Sequence, residues 1–348
     1  MRFGAPRHPF PGRLDAATAI LLSASRPFLD MANLNVAVIA PNGYSKDIGK
    51  KGTVSDITLY DIKQGTDTVT MLEPTGYPDR LAPLFFSASM ADRALVVVEA
   101  IDAKLGECMV MLHSVGVAKG WFVLRNFIAP EQLAPLIKGT VLENYEFIDD
   151  DATAIRQMLL SISETGARAA EDVPGAVPID HFFNVKGVGT VILGMVTRGT
   201  IRKHDTLKAL PTEKTAQVRS IQKHDDDYDE ATAGDRVGLA LKNITVEDLD
   251  RGIVLSTDSG LRGTTEITGT AELVGFWKHP LKEGMVLHVG HWMQFVPARI
   301  TSVSGADVKR PSVTLSLEKP LVHPAGSRAV LMYLDGGKLR VAGWVPLA

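Results

Sequence analysis

Apolar and polar positions follow two different rhythms along this chain. Between residue 34 and about 165, short runs rich in β-branched residues are separated by longer stretches with helical spacing of apolar positions. The runs Asn35–Ala40, Ile57–Lys63, Thr68–Glu73, Ala94–Ala100, Gly120–Arg125 and Glu143–Phe147 predict strands. Pro78–Arg93, Lys104–Val117, Pro130–Ile137 and Asp150–Glu164 predict helices. Pro78 and Pro130 suit a first helical turn, and Asp150 with Asp151 suits a helix N-terminus. This alternation predicts a parallel sheet covered by helices. After the loop Thr165–Pro174 the texture becomes short β-branched runs broken by glycine and charged turns, and it stays so to the end. Two all-β units of barrel or sandwich texture are expected there, divided near Asp258–Thr264.

The division predicted is therefore 1–30 as a disordered leader, 31–168 as the α/β domain, 174–258 as a first barrel and 260–348 as a second. The first 30 residues carry four arginines, no lysine and an apolar stretch from Ala16 to Ser23, faintly like a signal peptide, but Met31 leads at once into a strand-like run. Of the 348 residues 45% are hydrophobic, enough for a core in each domain. A formal charge of −3 gives no global field for nucleic acid. The one cysteine, Cys108, sits among Met109, Val110 and Met111, which predicts a buried, reduced thiol and a cytoplasmic protein. No apolar run is long enough to cross a bilayer.

A parallel sheet takes its ligand beyond the carboxyl ends of its strands, so chemistry is sought in those loops. The first reads Ala40-Pro41-Asn42-Gly43-Tyr44-Ser45-Lys46-Asp47. A phosphate loop, G-x-x-x-x-G-K-[ST], needs glycines so that backbone N–H groups surround phosphate, lysine to neutralise it and a hydroxyl for magnesium. Only Lys46 is in register; Ala40 and Ser45 replace the glycines, and Asp47 brings a carboxylate beside the phosphates. Gly49-Lys50-Lys51-Gly52-Thr53 is a second basic stretch, read as a solvated turn or a phosphate contact through Lys50. Nine residues separate Asp47 from Ile57, and at about 1.5 Å per helical residue that leaves no room for a helix plus a mobile loop. Thr53 and Thr58 are the candidates for a magnesium-contacting threonine.

The second loop, Glu73-Pro74-Thr75-Gly76-Tyr77, resembles the D-x-P-G-H motif of translational GTPases. Ser89-Met90-Ala91-Asp92-Arg93-Ala94-Leu95-Val96-Val97-Val98 is similar to the A-D-x-A-x-L-V-V segment that follows it. The resemblance implies that Gly76 meets the γ-phosphate, that Glu73 replaces the aspartate acting through magnesium, and that Tyr77 stands where a histidine positions the attacking water. The third loop, Asn126-Phe127-Ile128-Ala129, keeps only the asparagine of N-K-x-D. Ala129 cannot accept the hydrogen bonds of a guanine edge, so base selectivity is weakened.

The barrel sequence carries the resemblance furthest. Ile179-Asp180-His181-Phe182 through Gly187-Val188-Gly189-Thr190-Val191, then Gly194 to Ile201, His204-Asp205-Thr206-Leu207, Ala233 to Leu241 and Arg251 to Leu255 are similar in order and spacing to the second domain of elongation factors. Archaeal selenocysteine-specific factors are the nearest in pattern. In that family this barrel contacts the small ribosomal subunit or the aminoacyl end of tRNA, which implies an RNA contact at His224 in the acidic loop 224–230. That loop also reads as a solvated run. The resemblance further implies a closing hairpin at Asp335-Gly336-Gly337 and phosphate contacts from Arg299, Lys338 and Arg340. His288 and His291 lack a third ligand for zinc.

The expected fold is thus a P-loop-like α/β G domain followed by two all-β barrels. The expected function is an elongation-factor-like protein that binds ribosome or aminoacyl-tRNA, neither DNA nor membrane, with GTP binding and hydrolysis weak or lost. Two alternatives stand beside it. One is an active translational GTPase in which Lys46, Lys50 and Gly76 hold the phosphates of GTP or GDP, Glu73 and Asp47 hold magnesium and Asn126 holds the base. The other is a nucleotide-independent mimic of an elongation factor.

Overall fold

In the computed structural model the described residues are 33–65, 67–165 and 173–348. The leader 1–30 and most of the loop before the first barrel lie outside them. Seven strands form the first sheet: β1 (Asn33–Ile39), β2 (Lys50–Val54), β3 (Thr58–Gln64), β4 (Asp67–Glu73), β5 (Arg93–Val98), β6 (Gly120–Leu124) and β7 (Glu146–Ile148). Their order is β2-β3-β4-β1-β5-β6-β7. Strands β4, β1, β5, β6 and β7 are parallel, with Asn33 opposite Thr68 and Val36 opposite Arg93. At the other edge β3 returns antiparallel to β4, and β2 antiparallel to β3. The stretch 49–53, read as a basic turn, thus falls on an edge strand, Lys50–Val54, whose exposed residues hide the strand pattern.

Four helices cover the sheet: α1 (Ala82–Ser89), α2 (Ala103–Val115), α3 (Pro130–Ile137) and α4 (Ala152–Thr165). Helix α1 begins later than expected: Pro83 lies within its first two positions, and a proline deeper in a helix loses its backbone bond. One sheet face, with Val36, Val38, Leu95, Trp121 and Val123, packs on Ile155, Leu159 and Leu160 of α4. The other, with Ala37, Ile39, Val96, Val98 and Phe122, packs on α1 and α2. Leu105 and Cys108–Leu112 of α2 are all buried, which requires a second layer beyond the helix.

The carboxyl-terminal barrel is that layer. Strands of the first barrel are β8 (Ala176–Val185), β9 (Gly189–Met195), β10 (Thr200–Arg202), β11 (Thr206–Leu210), β12 (Thr215–Lys223), β13 (Asp226–Tyr228), β14 (Glu230–Thr232), β15 (Arg236–Lys242) and β16 (Val254–Ser256). Their sheet runs β11-β16-β8-β9-β15-β12-β13 and closes through β11 with β12. The second is β17 (Arg262–Thr270), β18 (Glu272–Leu273), β19 (Val286–His291), β20 (Gln294–Ser304), β21 (Ser312–His323), β22 (Arg328–Met332) and β23 (Val341–Pro346), in the order β17-β21-β20-β19-β22-β23-β18.

One apolar cluster runs from the first domain into the second barrel, joining Phe85, Phe86, Met111 and Leu112 to Val289, Leu331 and Val345. Phe85 and Phe86 meet the Phe295 ring at 6.1 and 6.2 Å between centroids. A Cβ on Gly290 would come within 2.5 Å of the Phe85 ring, so only glycine lets the helix approach so closely. Around this contact, Ser89 Oγ donates to the Trp292 carbonyl at 2.6 Å. Arg340 donates to both Glu107 oxygens, at 2.6 and 3.1 Å, and to the Pro78 carbonyl at 3.1 Å.

Replacing Arg340 with alanine leaves the Glu107 carboxylate, 3% exposed, its bond from the residue-340 backbone N–H at 2.7 Å but removes its opposite charge, at a cost of about 3 kcal/mol. Urea unfolding of R340A should give that loss, and the double variant R340A/E107A should recover part of it. His291 has its pKa lowered to about 4, by burial first, with the Arg328 carbonyl opposing. A histidine kept neutral by the fold contributes stability that is complete above about pH 6.5 and declines as pH falls toward about 4, worth roughly 3 kcal/mol. The urea midpoint should fall across that window, and less so in H291Q.

Candidate functional site

The loops at the carboxyl ends of β1, β4, β5, β6 and β7 meet at one edge, and each contributes a polar group. After β1, Gly43 takes a left-handed φ of 84° and the chain enters a single 3-10 turn, Tyr44–Asp47. Two amides of this loop converge on Glu73, the last residue of β4. Its carboxylate accepts from Gly43 N–H at 2.8 Å and Ser45 N–H at 2.6 Å. Glu73 is 2% exposed, so this is a charge-assisted pair shielded from water. Burial, and then the Glu73 charge, raises the Tyr60 phenol above its usual value.

Other groups expected to touch nucleotide are also engaged within the protein. Gly76 N–H donates to the Asp56 carbonyl at 2.8 Å. The Thr58 hydroxyl accepts from Thr75 Oγ1 at 2.7 Å. Tyr77 donates to the Lys104 carbonyl at 3.1 Å and faces the Arg340 guanidinium. Its phenol is raised by burial first and then by Cys108 and Glu107. Burial likewise pushes the Cys108 thiol up to about 12. Lys46, Asp47 and Lys50 are exposed. Among the described residues no cluster of three or more His, Cys, Asp or Glu suits a metal ion.

Across the mouth of the edge lies a second network. Tyr44 donates to Asp150 at 2.8 Å, and its ring lies 5.3 Å from the Arg125 guanidinium. Arg125 pairs with Asp150 at 2.7 Å and Glu99 at 2.8 Å. Asn126 Nδ2 donates to the Glu99 carbonyl at 2.9 Å. Residues from four loops thus tie to one another.

Two of the four expected RNA contacts lie at domain interfaces. His224 has a side chain 9% exposed, with Nδ1 3.7 Å from Asp61 of β3. Burial first lowers its pKa, against the pull of Asp61. The acidic loop around it pairs Asp226 with Lys63 across the interface, while Asp225, Asp226, Asp227 and Asp229 stay exposed, as the solvated reading expected. Arg340 is committed to Glu107. Arg299 donates to the Gly284 carbonyl at 3.0 Å, and both it and Lys338 are exposed.

Sequence reasoning missed a polar network where the first barrel meets the α/β domain. Both Arg236 nitrogens donate to Asp180, whose Oδ1 also meets His181 Nδ1 at 2.7 Å, while the buried His181 Nε2 has no partner. Burial opposes the Asp180 charge, but Arg236 outweighs it and holds the carboxyl below its usual range. Arg251 donates to the Asp180 carbonyl at 3.1 Å and to Asp56 at 2.9 Å. The residues are far apart in sequence and share no spacing, so no local pattern announces them.

A mixed sheet with its candidate ligand edge at the strand ends, followed by a closed barrel and a half-barrel, is the order of domains expected from the sequence. Residues 189–256 match the family Elongation factor Tu domain 2. An uncharacterized protein of Methanocaldococcus jannaschii is 40% identical over 304 residues, covering 86% of this chain and 94% of that protein. The selenocysteine-specific elongation factor of the same organism is 25% identical over 339 residues, covering 86% of this chain and 72% of that one. The translation elongation factor SelB of Methanococcus maripaludis, in complex with the GTP analogue GppNHp, superposes with a TM-score of 0.78 at 22% identity, covering 92% of this chain and 79% of that one. Its apo form gives 0.74 at 23% identity, over 92% and 80%. The chain belongs to the translational GTPase superfamily, as a protein similar to selenocysteine-specific elongation factors.

Glu73→Gln keeps the shape but turns an NH2 group toward one of the two amide donors. A loss of about 2 kcal/mol is expected in urea unfolding, with faster exchange of the Gly43 and Ser45 amide protons.

Proposed function

We propose that this protein is a translation factor whose first domain works without nucleotide, and that it docks on ribosome or aminoacyl-tRNA through its barrels. The observation that carries the reading is the Glu73 carboxylate on the Gly43 and Ser45 amides. These backbone donors belong to the loop where a phosphate would lie, and the chain supplies their anion itself. The Gly76 amide, given to Asp56, adds to this. Glu73, one of the two residues expected on magnesium, gives its carboxylate to the loop amides instead. Tyr77, turned to Lys104, is remote from a role in orienting water. GTP hydrolysis is therefore absent in this reading.

With Arg340 and His224 engaged in domain contacts, the RNA-facing candidates shift to the hairpin between β8 and β9. Lys186 at its tip is exposed, and Arg219 donates to the Val188 carbonyl at 3.0 Å beside it. Lys242 lines a neighbouring cleft of about 310 Å³ with Asn184 and Thr190. Exposed bases on a turn suit phosphate contacts, as net charge alone does not. Arg299 and Lys338 remain secondary candidates on the second barrel. Among the described residues no helix is long and apolar enough to cross a membrane, and the cytoplasm is the proposed location.

Titration with fluorescent GTP and GDP, with and without magnesium, should give no binding up to near-millimolar nucleotide. Micromolar binding abolished by Lys46→Ala and Asn126→Ala would instead establish the divergent GTPase. Co-sedimentation with small ribosomal subunits should be lost in the double variant K186E/K242E and at raised salt. Retention by that variant would remove the hairpin from the interface.

A further inference from the structure

The face that closes the α/β domain carries one residue its own structure does not explain. Arg125-Asn126-Phe127-Ile128 is a tight turn in which Ile128 N–H donates to the Arg125 carbonyl at 3.0 Å. Its two central residues have φ of 53° and 60°. Asparagine tolerates the left-handed region, and its amide is used there on the Glu99 carbonyl. Phenylalanine has no such compensation, and glycine is the residue such a position favours. Phe127 is also 106% exposed, as open as a side chain can be. A strained backbone and a large apolar group in water, at one residue, mark a point that another molecule covers. Ile101, on the adjoining loop after β5, is 42% exposed.

Charge around the turn selects the partner. The segments 99–102, 125–131 and 146–151 hold Glu99, Asp102, Glu131, Glu146, Asp149, Asp150 and Asp151 with Arg125 as their base. Asp102 and Asp151 also accept from helix N-terminal amides, and Lys46 lies in the loop after β1 at the same edge. Arg125 is spent on Glu99 and Asp150. Lys104 follows in α2, beside Asp102. Such a rim repels phosphate, which disfavours RNA, and attracts lysine and arginine. We propose that this face is a docking surface for a basic polypeptide segment whose apolar side chain covers Phe127. The surface lies where a nucleotide base would be read in relatives with intact loops, so the edge has been given over to a protein ligand. The inference concerns a different face from the barrel hairpin and stands independently of RNA binding there.

The test uses the full chain and two labelled peptides, one alternating lysine and leucine and one alternating glutamate and leucine, read by fluorescence anisotropy. The lysine peptide should bind, the glutamate peptide should not, and polyuridylate should not compete. Phe127→Gly should weaken binding by about tenfold or more, the scale of a central aromatic anchor. Its melting temperature should be no lower than that of the parent, since glycine relieves the left-handed strain. A photo-crosslinking amino acid at position 127, introduced in cells, should attach to a lysine- and arginine-rich protein segment identified by mass spectrometry. Binding unaffected by F127G, equal binding of both peptides, or attachment to RNA would overturn the proposal.

Discussion

A carboxylate on a strand end can hold a neighbouring loop only if it reaches the loop's amides and water cannot displace it. Glu73 meets both conditions. It is buried, and it accepts from Gly43 and Ser45 across the gap between β4 and the loop after β1. An anion that belongs to the chain is present at fixed effective concentration and cannot diffuse away, so the loop needs no ligand to take its shape. With the loop fixed, Tyr44 presents its hydroxyl to Asp150 and its ring to Arg125, and Arg125 reaches Glu99. A hydrogen-bonded network spans the mouth of the sheet edge as a consequence.

The same economy governs the domain contacts. Buried pairs such as Arg340 with Glu107, or Lys223 with Asp235 at 3.0 Å, contribute little net free energy against apolar packing because both charges must be dehydrated. They fix register instead. Asp235 also accepts from Asn33 and Thr232, and Asn35 donates to the Gly234 carbonyl at 3.0 Å, so the first strand of the α/β domain is held against one turn of the first barrel. Where the second barrel meets α1 and α2 the contact is a continuous apolar core. The first domain is thus held by polar pins on one side and a shared core on the other.

Period and punctuation made most of this fold legible. Most strands and helices of the first domain followed from spacing, because each has one face against a core, while the two β domains followed from texture together with the resemblance. The strand expected at Glu143–Phe147 instead starts at Glu146, after a 3-10 turn at Val141–Asn144. What escaped were elements whose reason lies elsewhere in the chain. Strand β2 has no buried face of its own, so the stretch 49–53 reads as a turn. Arg340 and His224 look like surface charges until Glu107 and Asp61, more than a hundred residues away, are brought beside them. The damage to the phosphate loop was visible in sequence, but not what occupies it. Glutamate at position 73 reads as a longer aspartate for magnesium, whereas its extra methylene lets the carboxylate span to the Gly43 and Ser45 amides.

In the nucleotide-free reading proposed above, a constraint on the loops at this edge is removed. Asn126 keeps the conformation and the amide contact that hold the turn, so the frame after β6 survives on structural grounds alone. Nothing comparable retains Phe127. A left-handed phenylalanine costs about 1–2 kcal/mol, and its ring forgoes the burial that its area would otherwise supply. Within the monomer no contact of that fully exposed ring offsets either cost. Drift at an unused position would favour glycine, asparagine or a polar side chain. An aromatic ring held outward amid carboxylates is what the proposed basic protein partner would cover.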